Sequence, residues 1–318
     1  MELVALARNP VPSGAIVGAF AGYDGNPMRY ALWEPTRGST RGTVCVFTGR
    51  SEFIEKYFEV VADLRRRGFA VAIMDWRGQG GSYRPLRNPR KGWVRGFFEY
   101  DRDLYCFIER VVAPNCPRPF YALAHSMGGH ILLRVASQPA CPFDRITAVA
   151  PMLRFHDSKV GISQNVARWY AAIGTMLGFG RSYVRGGSDD SADPVVFEGN
   201  PLTSDPNRFA RNRALIDAAP HLLLGAPTIG WLHAAYKSMA MLNEPSYADR
   251  IRVPLMIAIA GRDRVVDSQA TEAFAARVKL CTTIMLPLAR HEILQECDDI
   301  RSRFWAAFDA YLGVEPVV

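Results

Sequence analysis

Three residues have the types and spacing needed for nucleophilic attack on a carbonyl: Ser126, Asp263 and His291. Ser126 stands in Ala124-His125-Ser126-Met127-Gly128-Gly129, where a short apolar run gives way to a helical one. A serine on such a strand-to-helix turn has its hydroxyl lifted above a sheet. The positions two before and two after it must be small, because strand and helix backbones meet there. Ala124 and Gly128 meet that need. A hydroxyl is a weak nucleophile without a base, and an imidazole in that role needs a carboxylate to fix its tautomer and stabilise its charged form. Asp263 comes directly after an apolar run, in Gly261-Arg262-Asp263, and His291 comes after the last such run. The chain order serine, aspartate, histidine is the one such an elbow requires.

Attack also places negative charge on the carbonyl oxygen, which backbone N–H groups must meet. The sequence offers Met127, next after the serine, and Arg50, in the loop Thr48-Gly49-Arg50-Ser51-Glu52. The Arg50 side chain is expected in solvent, with contact to an anionic head group as the alternative. Rival groups have plainer uses. Asp267 falls where a helix should begin, a place for an N-capping carboxylate. The turn aims His125 away from the hydroxyl, His130 lies one turn into the helix, and His156, His221 and His233 fall in a stretch without strands.

What must position these groups is a parallel sheet. Runs at 44–47, 70–75, 120–124, 146–150, 255–260 and 282–286 are short, apolar and rich in β-formers. Amphipathic runs at about 53–67, 97–112, 127–137 and 294–312 alternate with them. Such repetition implies right-handed crossovers and a sheet covered on both faces. Gly68 should end the first helix in a left-handed cap. Residues 151–249 contain helical stretches, many Gly, Pro and Asn, and no convincing strand. The expectation is an α/β core of 1–150 and 250–318 with a mainly helical lid, 151–249, inserted over the C-terminal edge of the sheet. Open α/β sheets bind ligands at that edge. Within the lid, Trp169, Tyr170, Ile173, Met176, Leu177 and Phe179, with residues 222–224 and Trp231, either line an acyl channel or pack the lid on the core.

Composition bounds the partners. At 318 residues the chain can build one large core and a modest insertion. Of its 38 Lys and Arg only five are lysine, and the formal charge is +7. The arginines neither cluster nor alternate with aromatics, which argues against nucleic acid. The tightest group, Arg65-Arg66-Arg67, sits where positive charge suits a helix C-terminus. Six cysteines without CxxC or metal-ligand spacing read as reduced thiols. Asp75-Trp76-Arg77-Gly78-Gln79-Gly80-Gly81-Ser82 has neither the G-x-G-x-x-G order nor a Walker lysine, and reads as scaffold beside the site. No cofactor and no metal is expected. The N-terminus shows no signal-peptide pattern, and no run reaches the length of a membrane span. A cytoplasmic location follows as the expectation, with peripheral contact to the inner face of a membrane left open.

Several longer motifs go beyond the single residues. They are Gly49-Arg50-Ser51-Glu52-Phe53-Ile54-Glu55-Lys56-Tyr57, Asp75-Trp76-Arg77-Gly78-Gln79-Gly80, the elbow at 124–129, Gly261-Arg262-Asp263 and His291-Glu292-Ile293-Leu294. Asn200-Pro201-Leu202-Thr203-Ser204-Asp205 and Gly230-Trp231-Leu232 join them. With these motifs the chain resembles the bacterial lysophospholipase and monoacylglycerol-lipase branch of the α/β-hydrolases. It differs at Thr48, where relatives often carry histidine, and at Ala124, where glycine is usual. The resemblance implies the α/β-hydrolase fold and a serine hydrolase that cleaves a single-acyl lipid, with Ser126, Asp263 and His291 as its triad. A general carboxylesterase, a proline-type aminopeptidase and an acyltransferase share that triad and stay open. A non-catalytic binding protein of the same fold is the competing class, although such proteins usually lose a triad member.

Overall fold

The computed structural model describes residues 2–36, 40–190 and 193–315. Eight strands form one sheet: β1 (Ile16–Ala21), β2 (Pro27–Trp33), β3 (Thr43–Phe47), β4 (Ala70–Met74), β5 (Phe120–His125), β6 (Arg145–Val149), β7 (Leu255–Ala260) and β8 (Cys281–Leu286). Their order is β1-β2-β4-β3-β5-β6-β7-β8. β2 pairs antiparallel with both β1 and β4, and every other pair is parallel. β3, β4 and β7 are buried along their whole length. Strands covered on both faces must be apolar throughout, which is why these three are plain in the sequence.

Helices Phe58–Arg66 and Asp298–Leu312 cover one face, where Val46, Ile73 and Leu123 meet Phe304 and Phe308. Helices Phe98–Phe107 and Met127–Ala136 cover the other, over Phe47, Met74 and Ala122. Gly68, at φ +85°, follows the first helix in the left-handed conformation expected of it. The Arg65-Arg66-Arg67 cluster is used locally: Arg65 donates to the Ser13 and Glu34 carbonyls, while Arg66 and Arg67 pair with Asp63 and Asp309.

The sequence reading starts the sheet at residue 44 and misses β1 and β2. Arg29 in the middle of β2 disguises it. That guanidinium is buried because Glu55 and Asp75 meet it at 2.8 and 2.6 Å. A buried charge is tolerated when paired, and those partners lie far away in sequence.

Between β6 and β7 the described residues add no strand to the sheet and carry helices Gln164–Met176, Pro206–Ala218 and Ile229–Leu242. Leu222 and Leu223 pack with Phe53 and Leu215, and Trp231 packs against Phe97. Leu224 is buried as well, and the six remaining aromatic and aliphatic residues singled out in this stretch are turned to solvent. Trp169, Tyr170, Ile173, Met176, Leu177 and Phe179 are exposed, Trp169 by 68% and Met176 by 78%. The inner side of their helix carries Ala167, Ala171 and Gly174, small enough to approach the Ile229–Leu242 helix closely. No helix among the described residues is long and apolar enough to cross a membrane.

Candidate active site

The elbow is built by sterics. Ser126 leaves β5 at φ 51°, a conformation L-residues rarely adopt, and is pinned there by its N–H to the Val149 carbonyl and its carbonyl to the Met152 N–H, both 3.0 Å. Such strain persists only where surrounding bonds over-determine it. The helix that starts at Met127 must pass over the end of β3. A Cβ at position 128 would lie 2.5 Å from the Phe47 carbonyl oxygen, so only glycine fits. Ala124 sits in register between Phe47 and Ala148, where its methyl group is buried.

Three loops at the same edge of the sheet bring the three side chains together. Ser126 Oγ lies 3.0 Å from His291 Nε2, and His291 Nδ1 lies 2.7 Å from Asp263 Oδ2. The other Asp263 oxygen accepts from the Val265 and Val266 N–H groups at 2.7 and 2.9 Å. Burial alone would raise the Asp263 carboxyl, but the facing His291 and these amides outweigh it and hold the group below the ordinary carboxylate range. An ionised Asp263 fixes the imidazole proton on Nδ1 and leaves Nε2 to accept from the serine hydroxyl. Asp267 is elsewhere, capping the Ser268–Ala275 helix through the Gln269 and Ala270 amides. His130 is buried between the Met152 carbonyl and Ser238 Oγ, and burial drives its pKa down to about 3.

The Met127 N–H opens the helix, and the Arg50 N–H comes from the loop after β3; neither makes a hydrogen bond among the described residues. Gln79 staples that loop, its amide donating to the Gly49 and Glu52 carbonyls and its oxygen accepting from the Ser51 N–H. Gln79 belongs to the glycine-rich stretch after β4. Gly80, at φ +55°, lies so close to Asp75 that a Cβ would come within 2.2 Å of the carboxyl carbon. The Arg50 side chain is not solvated as expected. It donates to the Gly225 carbonyl and Ser51 Oγ, lies 5.0 Å from the Trp231 ring, and burial lowers its pKa to about 10.

A family model described as serine aminopeptidase, S33, matches residues 38–298. The chain belongs to that family. It is similar to lysophospholipase L2 of Escherichia coli K12, with 30% identity over 89% of this chain and 83% of the relative. The probable lysophospholipase L2 of Haemophilus influenzae is 28% identical over 87% and 85%. Among solved structures, a soluble variant of Saccharomyces cerevisiae monoglyceride lipase matches with a TM-score of 0.73 at 21% identity, covering 95% of this chain and 97% of that one. A thermostable carboxyl esterase of Bacillus coagulans gives 0.75 at 18%, covering 95% and 99%. The α/β-hydrolase fold expected from the sequence is borne out by these likenesses.

Behind the relay this S33 member buries a cluster of charges that sequence reasoning did not assemble. Glu52 accepts from the Gly49 N–H, from Tyr57 Oη at 2.6 Å and from His125 Nδ1 at 3.1 Å. Lys56 Nζ lies 3.4 Å from Glu52 and 2.6 Å from Glu292. The other ring nitrogen of His125 faces the main-chain carbonyl of His291 at 3.1 Å, so both nitrogens meet acceptors. Burial would lower the His125 pKa, but the Glu52 charge reverses that and raises it; burial would raise Glu52, and His125 with Lys56 lowers it. The His125 ring and the Glu52 carboxyl group therefore tie the loop after β3 to the histidine loop. The Asn200–Asp205 motif supports the same loop from above. Pro201 and Leu202 carbonyls accept from the His291 and Glu292 N–H groups, and Arg290 donates to the Asn200 and Thr203 carbonyls.

Proposed function

We propose that this chain is a serine hydrolase that cleaves the ester of a single-acyl lipid, a lysophospholipid or a monoacylglycerol, through an acyl-enzyme on Ser126. The observation that carries this reading is the unbroken relay from Asp263 through His291 to Ser126 Oγ, together with two N–H groups that have no partner among the described residues. As Oγ attacks the carbonyl carbon, His291 Nε2 takes its proton and the oxyanion forms against the Arg50 and Met127 amides. Asp263 stabilises the imidazolium, which gives the proton to the departing glycerol oxygen. Water deprotonated by the same histidine then attacks the acyl-enzyme and frees the fatty acid.

Two features favour a lipid. The curated relatives described above are lysophospholipases by name. The helix Gln164–Met176 also turns its bulky apolar side outward, and residues 158–188 contain four basic and no acidic residues. We read 151–249 as a lid whose outer stripe docks on an anionic lipid surface, which makes the protein peripheral to a membrane. The family's aminopeptidase description favours an amide substrate instead. An aminopeptidase needs a carboxylate for the substrate's amine, and two that adjoin the site loops, Glu52 and Glu292, are already engaged by Lys56. A fluorophosphonate probe tests the nucleophile. Peptide mass mapping should find the adduct on Ser126, with none in Ser126→Ala; an adduct on another serine would overturn the assignment.

A further inference from the structure

A cavity of about 390 Å³ opens beside the relay, lined by Arg262, Arg264, Arg290, His156, Asp263 and residues 199–201. Its charge is lopsided. Asp263, the carboxylate of this lining, has no exposed side-chain surface, and both of its oxygens are engaged by His291 and the Val265 and Val266 amides. Arg262 and Arg264 are exposed and form no ion pair among the described residues. The neighbouring Arg154, by contrast, is neutralised by Asp157 and Asp267. Arg290 spends one guanidinium nitrogen on the Asn200 and Thr203 carbonyls and keeps its others. His156 Nδ1 accepts from the Ser158 N–H, which leaves Nε2 as the donor of a neutral ring.

Guanidinium forks match phosphate oxygens in geometry as well as charge. We propose that this cavity holds the phosphate of a phospholipid head group, with Arg262 and Arg264 as its principal ligands. The site rests on the esterase reading above and deepens it, because it selects lysophospholipid over monoacylglycerol. Its position suits the task. Asp263 in its wall is the outer member of the relay, hydrogen-bonded at 2.7 Å to the His291 ring, whose other nitrogen lies 3.0 Å from Ser126 Oγ. In a lysophospholipid the ester and the phosphate hang from the same glycerol, so an ester held at Ser126 keeps its phosphate near the relay.

The test compares wild type with Arg262→Gln/Arg264→Gln on 1-palmitoyl-lysophosphatidylcholine and on 1-palmitoylglycerol. The expected result is a rise of about tenfold or more in KM for the lysophospholipid alone. Retained kcat on the monoacylglycerol reports an intact Asp263 between the two substituted residues. A parallel rise for both substrates, or for neither, overturns the proposal. A second arm titrates Ser126→Ala with glycerophosphocholine and with inorganic phosphate, with and without the two arginine substitutions. Arginine-dependent binding of glycerophosphocholine supports a head-group site, whereas arginine-dependent binding of inorganic phosphate alone overturns it. Should wild type hydrolyse neither lipid, the esterase reading fails, and this titration still decides whether the cavity binds the phosphodiester.

Discussion

Ser126 and His125 are neighbours on one elbow, yet they face opposite regions of the molecule. In front, Ser126 meets the side chain of His291, which meets Asp263, in a relay of two hydrogen bonds. Behind, His125 reaches the main chain of the same His291, and its other nitrogen is locked to Glu52 in a cluster where every charge has a partner. The front is a chain of hydrogen bonds that ends on a hydroxyl, and the back is a set of paired charged groups. His291 is thus aligned twice, its ring by Asp263 and its backbone by the buried His125–Glu52 pair that also grips the loop carrying Arg50.

The sharpest way to break that contrast is at the front. Asp263→Asn should lose about 10⁴-fold in kcat, the scale seen when a triad carboxylate no longer fixes the tautomer. Asp267→Asn should change kcat little and lower stability by about 1 kcal/mol as a lost cap. Equal losses in kcat would transfer the acid's role to Asp267.

Behind the relay, Glu52→Gln strands His125 and leaves Lys56 with Glu292 as its remaining partner. It should destabilise the fold by about 3–5 kcal/mol, as removal of one partner from a buried pair does. At a temperature where it stays folded, kcat should fall while KM changes less, because what shifts is the alignment of His291 and Arg50. Unchanged kcat in the folded variant would reduce the cluster to a structural brace. The same pair sets a pH signature. His125 is raised above its ordinary 6.5, so its contribution is complete below that pH and is lost as pH rises through the folded value. Glu52 is lowered below its ordinary 4.5, so its contribution is complete above that pH and is lost only in stronger acid. Wild-type Tm should therefore peak between these values and decline on the alkaline side. His125→Asn should lack that decline, and an identical profile in both would contradict a charged His125.

The smallest effect concerns the outer surface. Trp169→Ser with Met176→Ser should weaken binding to phosphatidylglycerol vesicles several-fold, and lower turnover of a vesicle-borne substrate relative to a water-soluble ester. Equal vesicle binding by variant and wild type would remove the docking role from this helix.

The two regions also differ in how far the sequence discloses them. Ser126, Asp263 and His291 are legible because each sits at a strand end, and strand ends are local patterns joined by a fixed chain order. The buried cluster is not local. His125 and Glu52 lie 73 residues apart, and Lys56 and Glu292 lie 236 apart. Their residues stand in the recognisable motifs, but nothing in spacing says that they meet. Arg29 hid β2 for the same reason. In the Gln164–Met176 helix, periodicity reveals an apolar stripe without saying which way it faces. Close approach by Ala167, Ala171 and Gly174 decides that, and it turns Trp169 and Met176 outward. Asp267, by contrast, was readable as a cap because N-capping needs only the residues that follow it.

The central claim is that Ser126 opens the ester of a single-acyl lipid, and the most direct measurement is fatty-acid release by wild type and Ser126→Ala in parallel. The substrates are lysophosphatidylcholine, a monoacylglycerol, short and long p-nitrophenyl esters, and a proline amide. The account predicts release from at least one of the two lipids, abolished in Ser126→Ala, with both proteins unfolding at closely similar temperatures. Turnover of the proline amide without either lipid, or lipid hydrolysis that survives in Ser126→Ala, would contradict it.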